Sequence, residues 1–188
     1  MRKINYPLIA TVAAFIISGC STSGTNGTCT VRNTAQKIFG SSAFTDPVAY
    51  CECAGTIDAP DARYKGEKIP AAMMGKIRKT MDLAPDVPDY YITLSTFWRC
   101  MDKKVYICMT GANLPCQEKA DTGRSPSEPM KEFCRDNPDS DFIPATVTGR
   151  STVYDWKCSG SQPAISKQVS FPDKKGFLSD IWYELKTD

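Results

Sequence analysis

The most reactive side chains in this 188-residue chain are nine cysteines. Two of them, Cys51 and Cys53, stand one residue apart. Such a set can do thiol–disulfide exchange, hold a metal, or form structural disulfides. Exchange needs a thiolate whose pKa is lowered. Glu52, between the two cysteines, acts in the opposite sense, so both read as halves of structural disulfides. Cysteines this close seldom join each other, so each should reach elsewhere, and Cys29 is the nearest candidate partner for one of them. Metal ligation has little to build on, because there is no histidine in the chain and no Cys-x-x-Cys knuckle. Without histidine there is also no Ser-His-Asp or Cys-His arrangement. A Ser-x-x-Lys dyad and a Gly-rich phosphate loop are missing as well. Asp58 with Asp61, and Asp139 with Asp141, have the composition of a glycosidase pair. Each lies in a polar stretch flanked by proline and reads as turn. The expectation is therefore no catalytic residue, no metal and no diffusible cofactor.

Cys20 belongs to a different context. Arg2 and Lys3 give a positive start, and Leu8 to Ile17 give about ten mostly apolar residues before Ser18 and Gly19. That run is too short to cross a hydrocarbon layer, which takes about 20 helical residues. Ile17-Ser18-Gly19-Cys20 resembles the lipobox of bacterial lipoproteins, with Ile where the family most often has Leu. The resemblance implies cleavage before Cys20, a diacylglycerol thioether on its sulfur and acylation of the new amino terminus. Several acyl chains, at about 0.8 kcal/mol per buried CH₂, anchor a chain firmly. The same resemblance, with Ser21 rather than Asp after the cysteine, implies sorting to the outer membrane. Residues 1–19 are then a signal peptide, and residues 20–28, rich in Gly, Ser and Thr, a flexible tether.

Setting Cys20 aside leaves an even number of cysteines: Cys29, Cys51, Cys53, Cys100, Cys108, Cys116, Cys134 and Cys158. In an exported chain these make up to four disulfides, whose pairing the sequence does not choose. Cys116 with Cys134 is the best single expectation. Removing residues 1–19 takes away Arg2 and Lys3, leaving 21 basic and 21 acidic residues. A neutral, mixed chain argues against nucleic acid, which needs a basic patch, and against an electrostatic grip on anionic lipid.

The elements that must hold these cysteines are short. Thr30 to Phe39 reads as a helix ended by Gly40. Pro70 to Asp82 reads as another, with Met73, Met74, Ile77 and Met81 on its inner face. Tyr90 to Cys100 alternates as one strand, with Tyr90, Ile92, Leu94, Thr96, Trp98 and Cys100 on one side. Val105 to Met109 returns beside it, and a turn centred on Lys104 would set Cys100 opposite Cys108. Gly111 to Cys116 is a loop. Ser127 opens a helix over 128–135 that buries Met130, Phe133 and Cys134. Thr152, Tyr154, Trp156 and Cys158 share a strand face, followed by a turn at 159–162 and a return strand over 164–171. The end, 177–185, fits either a helix or a strand, with strand preferred and Gly176 suited to a hairpin turn. Trp98-Arg-Cys100 and Trp156-Lys-Cys158 echo each other, each placing a Trp beside a disulfide on one strand face.

The expected fold is one small disulfide-stapled α+β domain over 29–188, with antiparallel β-hairpins and two or three short helices. The expected role is a lipid-anchored envelope module that binds an envelope component, a small ligand or a foreign protein. A second possibility is an inhibitor of a secreted hydrolase, acting through the Gly111–Cys116 loop; the small exported style with paired strands ending in Trp/Tyr-x-Cys is similar to lipoprotein inhibitors of lysozyme. A thiol-redox or hydrolytic enzyme comes last. Thiol titration of the unreduced mature protein separates the redox class: the expected count is zero, and a reactive thiol at Cys51 or Cys53 would restore it.

Overall fold

In the computed structural model, residues 43–186 are described. The expectations for the signal peptide, the tether, Cys20, Cys29 and the helix over 30–39 lie outside them. The described chain is an α+β domain whose elements are short. Helices α1 (Pro47–Ala54), α2 (Ala71–Thr80) and α3 (Asp89–Ser95) precede strands β1 (Thr96–Met101) and β2 (Lys104–Met109). Helices α4 (Glu128–Asp136) and α5 (Ala145–Thr148) then precede β3 (Tyr154–Ser159), β4 (Gln162–Gln168) and β5 (Tyr183–Glu184). There are thus five α-helices among the described residues rather than two or three.

The sheet β1-β2-β5 is antiparallel, and β3-β4 is a separate hairpin. The three-stranded sheet is covered on both faces. Trp98, Cys100, Val105, Ile107 and Met109 point into one apolar cluster with Tyr50, Cys51, Met73, Ile77 and Ile92. Phe97, Tyr106 and Cys108 point into another with Met130, Cys134, Trp156, Phe177, Leu178, Ile181 and Trp182. Strand residues alternate between faces, so neither face of β1 is free to be polar. The first cluster is centred on edge-to-face rings: Tyr64 lies 4.9 Å from Trp98, and Tyr50 lies 5.8 Å from both Trp98 and Phe44. This geometry favours aromatic contact.

Local chemistry explains the boundaries. Asp46 caps α1 by accepting from the Ala49 amide at 2.9 Å, and Pro47 occupies the first turn. Pro70 likewise precedes α2, whose Met73 and Ile77 are buried, while Met74 and Met81 pack part-buried at its edge. Ser127 stands at the start of α4, but its side chain makes no cap bond. Met130 and Cys134 are buried from that helix and Phe133 is part-buried.

One expected strand is half helix. Residues 89–95 form α3, and only 96–101 are extended. Pro88 and Asp89 start the helix, and the buried residues Ile92 and Ser95 are three apart, which is helical spacing. Extension begins at Thr96, where Met109 pairs with it. The β1–β2 turn is centred on Asp102 and Lys103, both with positive φ, earlier than Lys104. Two such residues suit the tight turn that matches strand twist. Cys100 therefore faces Val105, and Cys108 faces Phe97, so the two cysteines stand at different levels of the hairpin.

The disulfides follow from this register. Cys51–Cys100 staples α1 to β1, Cys108–Cys116 closes a loop after β2, and Cys134–Cys158 staples α4 to β3. The expected Cys116–Cys134 pair is not formed. The chain reverses at once after β2 and brings Cys116 back to Cys108, while Cys134 on α4 faces Cys158 on the hairpin. Cys53 is also disulfide-bonded, and the idea that Cys29 is a partner falls outside the described residues. Both Trp-basic-Cys segments serve the same unit, a Pro-led helix bonded to the first strand of a hairpin. Their basic residues differ. Lys157 is exposed on the open face of β3, whereas Arg99 is only 1% exposed.

Arg99 is enclosed by the C-terminal segment. Residues 172–178 form a turn in which Pro172 bridges Leu178 and Gly176 has φ +82°. The end of the chain is mixed, with a 3₁₀ turn over Ser179–Ile181 and then β5. Arg99 Nη2 donates to Asp173 Oδ2, and its guanidinium stacks over Phe177 and Trp182 at 4.4 and 4.3 Å. Asp173 Oδ1 accepts from the backbone amides of Lys175 and Phe177 at 2.7 and 3.1 Å. Burial pushes the Asp173 carboxyl up, but the Arg99 bond and the two amides outweigh it and hold the group below its ordinary value of 3.8.

Removing one partner of a buried pair leaves a desolvated charge. Asp173→Asn is therefore expected to cost about 3–5 kcal/mol in denaturant unfolding, and Arg99→Met with Asp173→Leu less than either alone. The folded state binds the Asp173 proton more weakly than the unfolded chain does. Its contribution is complete above the unfolded value and is lost as pH falls through the lower folded value. Unfolding midpoints measured below pH 4 should fall more steeply for the native chain than for the double variant.

Candidate functional site

Two surface features have the shape of a recognition site. The first is the loop anticipated from the sequence. It leaves β2 through a 3₁₀ turn, Thr110–Ala112, and reverses at Asn113, which adopts a left-handed conformation (φ 59°, ψ 35°). The Asn113 amide donates to Thr110 O at 2.8 Å, the Cys116 amide donates to Leu114 O at 2.9 Å, and Thr110 Oγ1 donates to Ser95 O at 3.3 Å. Cys108–Cys116 closes the loop across eight positions. Gly111 lets the Tyr91 side chain of α3 pack close: a Cβ there would lie 2.7 Å from the Tyr91 hydroxyl, which would have to shift. The loop is thus held by a covalent bond, a backbone turn and the end of α3.

The second is an open groove of about 710 Å³ beside the β3–β4 hairpin. Ile143, Tyr154 and Trp156 are buried beneath it, and Phe142 and Val169 stand exposed beside it. The Ile143 amide donates to Trp156 O at 2.7 Å, which docks the 141–150 segment on the hairpin. Pro144 then starts α5, and Gly149 ends it at φ +89°, a conformation glycine adopts without strain. Arg124 donates to the Tyr154 hydroxyl at 3.2 Å and lies 5.2 Å from its ring, fixing that side of the floor. Charges of both signs line the groove: Asp141, Arg150, and the pair Asp155–Lys167 at 3.5 Å. The outer edge of β4 pairs with no strand among the described residues.

The carboxylates named from the sequence are not assembled into a pair. Asp58 is bridged to Lys119 at 2.7 Å and Lys175 at 3.5 Å. Burial raises its pKa, and these two cations reverse the effect to a net lowering. Asp61 accepts from the Arg63 guanidinium, which takes its carboxyl down to about 2. A general acid needs the opposite shift. Asp139 accepts from the Gly160 amide at 2.7 Å and so serves a turn, while Asp141 alone lines the groove. Among the described residues, no group of three or more His, Cys, Asp or Glu side chains is placed to hold a metal.

Among the described residues, Cys51–Cys100 and Cys134–Cys158 hold the frame that positions these surfaces, while Cys108–Cys116 closes the loop itself. The groove was missed from sequence because Phe142 and Val169 belong to separate segments joined only by tertiary packing. The signal available was the Asp141-Phe-Ile-Pro144 run, two apolar residues between a charge and a proline that leads into a helix start. No protein-family model, curated protein or solved structure matches this chain.

The loop disulfide and the core disulfides should differ in weight. Restriction of the unfolded chain scales with loop length, so Cys108→Ser/Cys116→Ser should cost about 2.6 kcal/mol, against about 4 for Cys51→Ser/Cys100→Ser. Urea unfolding of the two double variants checks the order. Amide exchange should speed up at residues 110–116 in the first and across α1 and β1 in the second.

Proposed function

We propose that this chain is a lipid-anchored cell-envelope protein whose folded part is a non-catalytic binding module, with the groove beside β3–β4 as its recognition surface. The lipid would be carried on Cys20, and the sorting residue Ser21 favours the outer membrane. The observation that carries the binding reading is the pairing of exposed apolar side chains, Phe142 at 66% and Val169 at 45%, with a groove of about 710 Å³ on a disulfide-held hairpin. Large exposed apolar groups gathered at a concavity mark interaction sites more often than scattered ones do. The mixed charges at the rim supply orientation without a strong field. A protein segment or another envelope component fits this surface, and nucleic acid does not.

Inhibition of a secreted hydrolase is kept as a second reading because of the rigid Cys108–Cys116 loop. A peptide that enters a hydrolase site must resist reorganisation on binding, and a closed loop meets that need.

Three measurements separate these readings. Intact-mass analysis of protein isolated from its own membrane should show a chain starting at Cys20 with acyl mass; a retained leader or an unacylated chain would overturn the anchor. Affinity capture from detergent-solubilised envelope should retain a partner that Phe142→Asp loses by tenfold or more, corresponding to about 1.4 kcal/mol. A partner retained equally by Phe142→Asp but lost on Cys108→Ser/Cys116→Ser would shift the function to the loop. In that case inhibition of lysozyme by the intact protein, absent in the first reading, should appear.

A further inference from the structure

We infer that the outer face of α3 rests on the phospholipid bilayer to which the chain is attached, at the boundary of headgroups and acyl chains. This deepens the lipid-anchor reading above and rests on it. Seven large apolar side chains are exposed among the described residues, and three of them, Tyr90, Tyr91 and Leu94, belong to the seven-residue helix α3. Tyr90 and Leu94 are 69% and 70% exposed and one helical turn apart, so they form one surface. The opposite side of the same helix buries Ile92 and Ser95 and fixes its orientation. Tyrosine suits a membrane interface because its ring enters the apolar boundary while its hydroxyl stays hydrated. Leucine adds purely apolar area.

The short stretch of chain between the anchor and the described domain chooses the occupant. The described chain begins at residue 43, and the chain from Cys20 arrives there. Phe44 bridges Tyr64, with the Phe44 amide donating to Arg63 O at 2.9 Å and the Lys65 amide donating to Phe44 O at 2.8 Å. From that bridge a short path of contacts leads to α3. The Tyr64 ring touches Trp98, the Trp98 indole N–H donates to Lys68 O at 2.7 Å, and Lys68 Nζ donates to Leu94 O at 2.9 Å. The anchor's point of arrival and the apolar face are thus linked through Tyr64, Trp98 and Lys68. The 22 residues between Cys20 and residue 43 span at most about 80 Å, which keeps the domain at high local concentration over the bilayer. Under those conditions a weak contact suffices for occupancy.

The charges that the structure places beside the face are of both signs. Lys68 Nζ donates to Leu94 O at 2.9 Å, and Arg78 is paired with Asp89 at 2.5 Å. The contact therefore does not require anionic lipid, and a zwitterionic bilayer serves.

The test uses the lipidated chain isolated from its own membrane and reconstituted into phosphatidylcholine vesicles. Tyr90→Trp places a reporter on the face, while Trp98, Trp156 and Trp182 are all buried out of reach of a quencher in the lipid, and their constant emission is subtracted with the Tyr90 chain. With lipids brominated in the acyl chain, the reporter emission should fall by about half, as expected for an interfacial indole. Adding Leu94→Asp, or Leu94→Ser should the charged variant lose its near-ultraviolet circular dichroism, should remove most of that quenching while the chain still floats with the vesicles. Flotation without quenching of the reporter would overturn the membrane contact and leave the anchor standing. A chain that neither floats nor carries acyl mass would overturn both. A blue shift that depends on protein concentration in detergent, without bromine quenching, would assign the face to a second copy and also overturn the proposal.

Discussion

The packing of this domain depends on a cation buried where a strand residue has no route to solvent. β1 carries one cluster on its Trp98–Cys100 face and meets the other cluster on its Phe97–Arg99 face. Arg99 sits on that second face, and its charge must be compensated within the protein. Asp173 compensates it in part, and the rings of Phe177 and Trp182 do the rest by stacking on the guanidinium. Its Nε and Nη1 have no protein hydrogen-bond partner among the described residues. The aromatic faces therefore carry weight that hydrogen bonds would otherwise carry. Lysine could not replace this arrangement, because a compact ammonium offers no plane to stack.

That single contact has a topological consequence. Asp173 lies in the turn near the end of the chain, and the residues after it supply β5 and much of the second cluster. Fixing Asp173 to Arg99 therefore fixes the C-terminal segment to the central sheet. Lys119 adds a second tie, donating to Lys175 O at 2.7 Å, bridging Asp58 and lying 3.5 Å from the Phe177 ring. The surface members of this network are solvated and contribute little each. The buried pair sets the position, and the disulfides hold each helix to its hairpin around it.

How much of this was legible depended on whether a pattern was local. β3 alternates buried and exposed residues because one face of its hairpin is open, so Tyr154, Trp156 and Cys158 could be read directly. Helix α2 was legible because Pro70 marks its start and Met73 and Ile77 repeat at helical spacing. The segment 90–100 misled because Tyr-Tyr-Ile-Thr-Leu-Ser mimics strand alternation. Only the pairing of Thr96 with Met109 shows where extension starts. Cysteine parity was a local count, whereas pairing waited on the hairpin turn falling at Asp102-Lys103. The burial of Arg99 was not legible, since nothing nearby in sequence shows that a segment more than 70 residues later covers it. The rigid loop at 110–116 was visible through its cysteine and turn residues. The groove was not, because no stretch of sequence contains both of its sides.

The near-neutral charge of the chain, with 23 basic and 21 acidic residues, bears on how such a protein can recognise anything. Without a strong field there is no long-range steering, so selectivity must come from short-range apolar fit. Exposed apolar groups gather in two places. The α3 face belongs to the first cluster, and the groove with Phe142 and Val169 belongs to the second. A hinged pair of half-domains would let these surfaces turn independently. Here the shared central sheet and the Arg99–Asp173 pair join the clusters through buried contacts, so reorienting one against the other would require opening a desolvated ion pair. A contact at α3 would therefore set the direction of the groove as well. In a tethered protein this is the physical difference between a domain that samples all orientations above its membrane and one that presents a single surface outward.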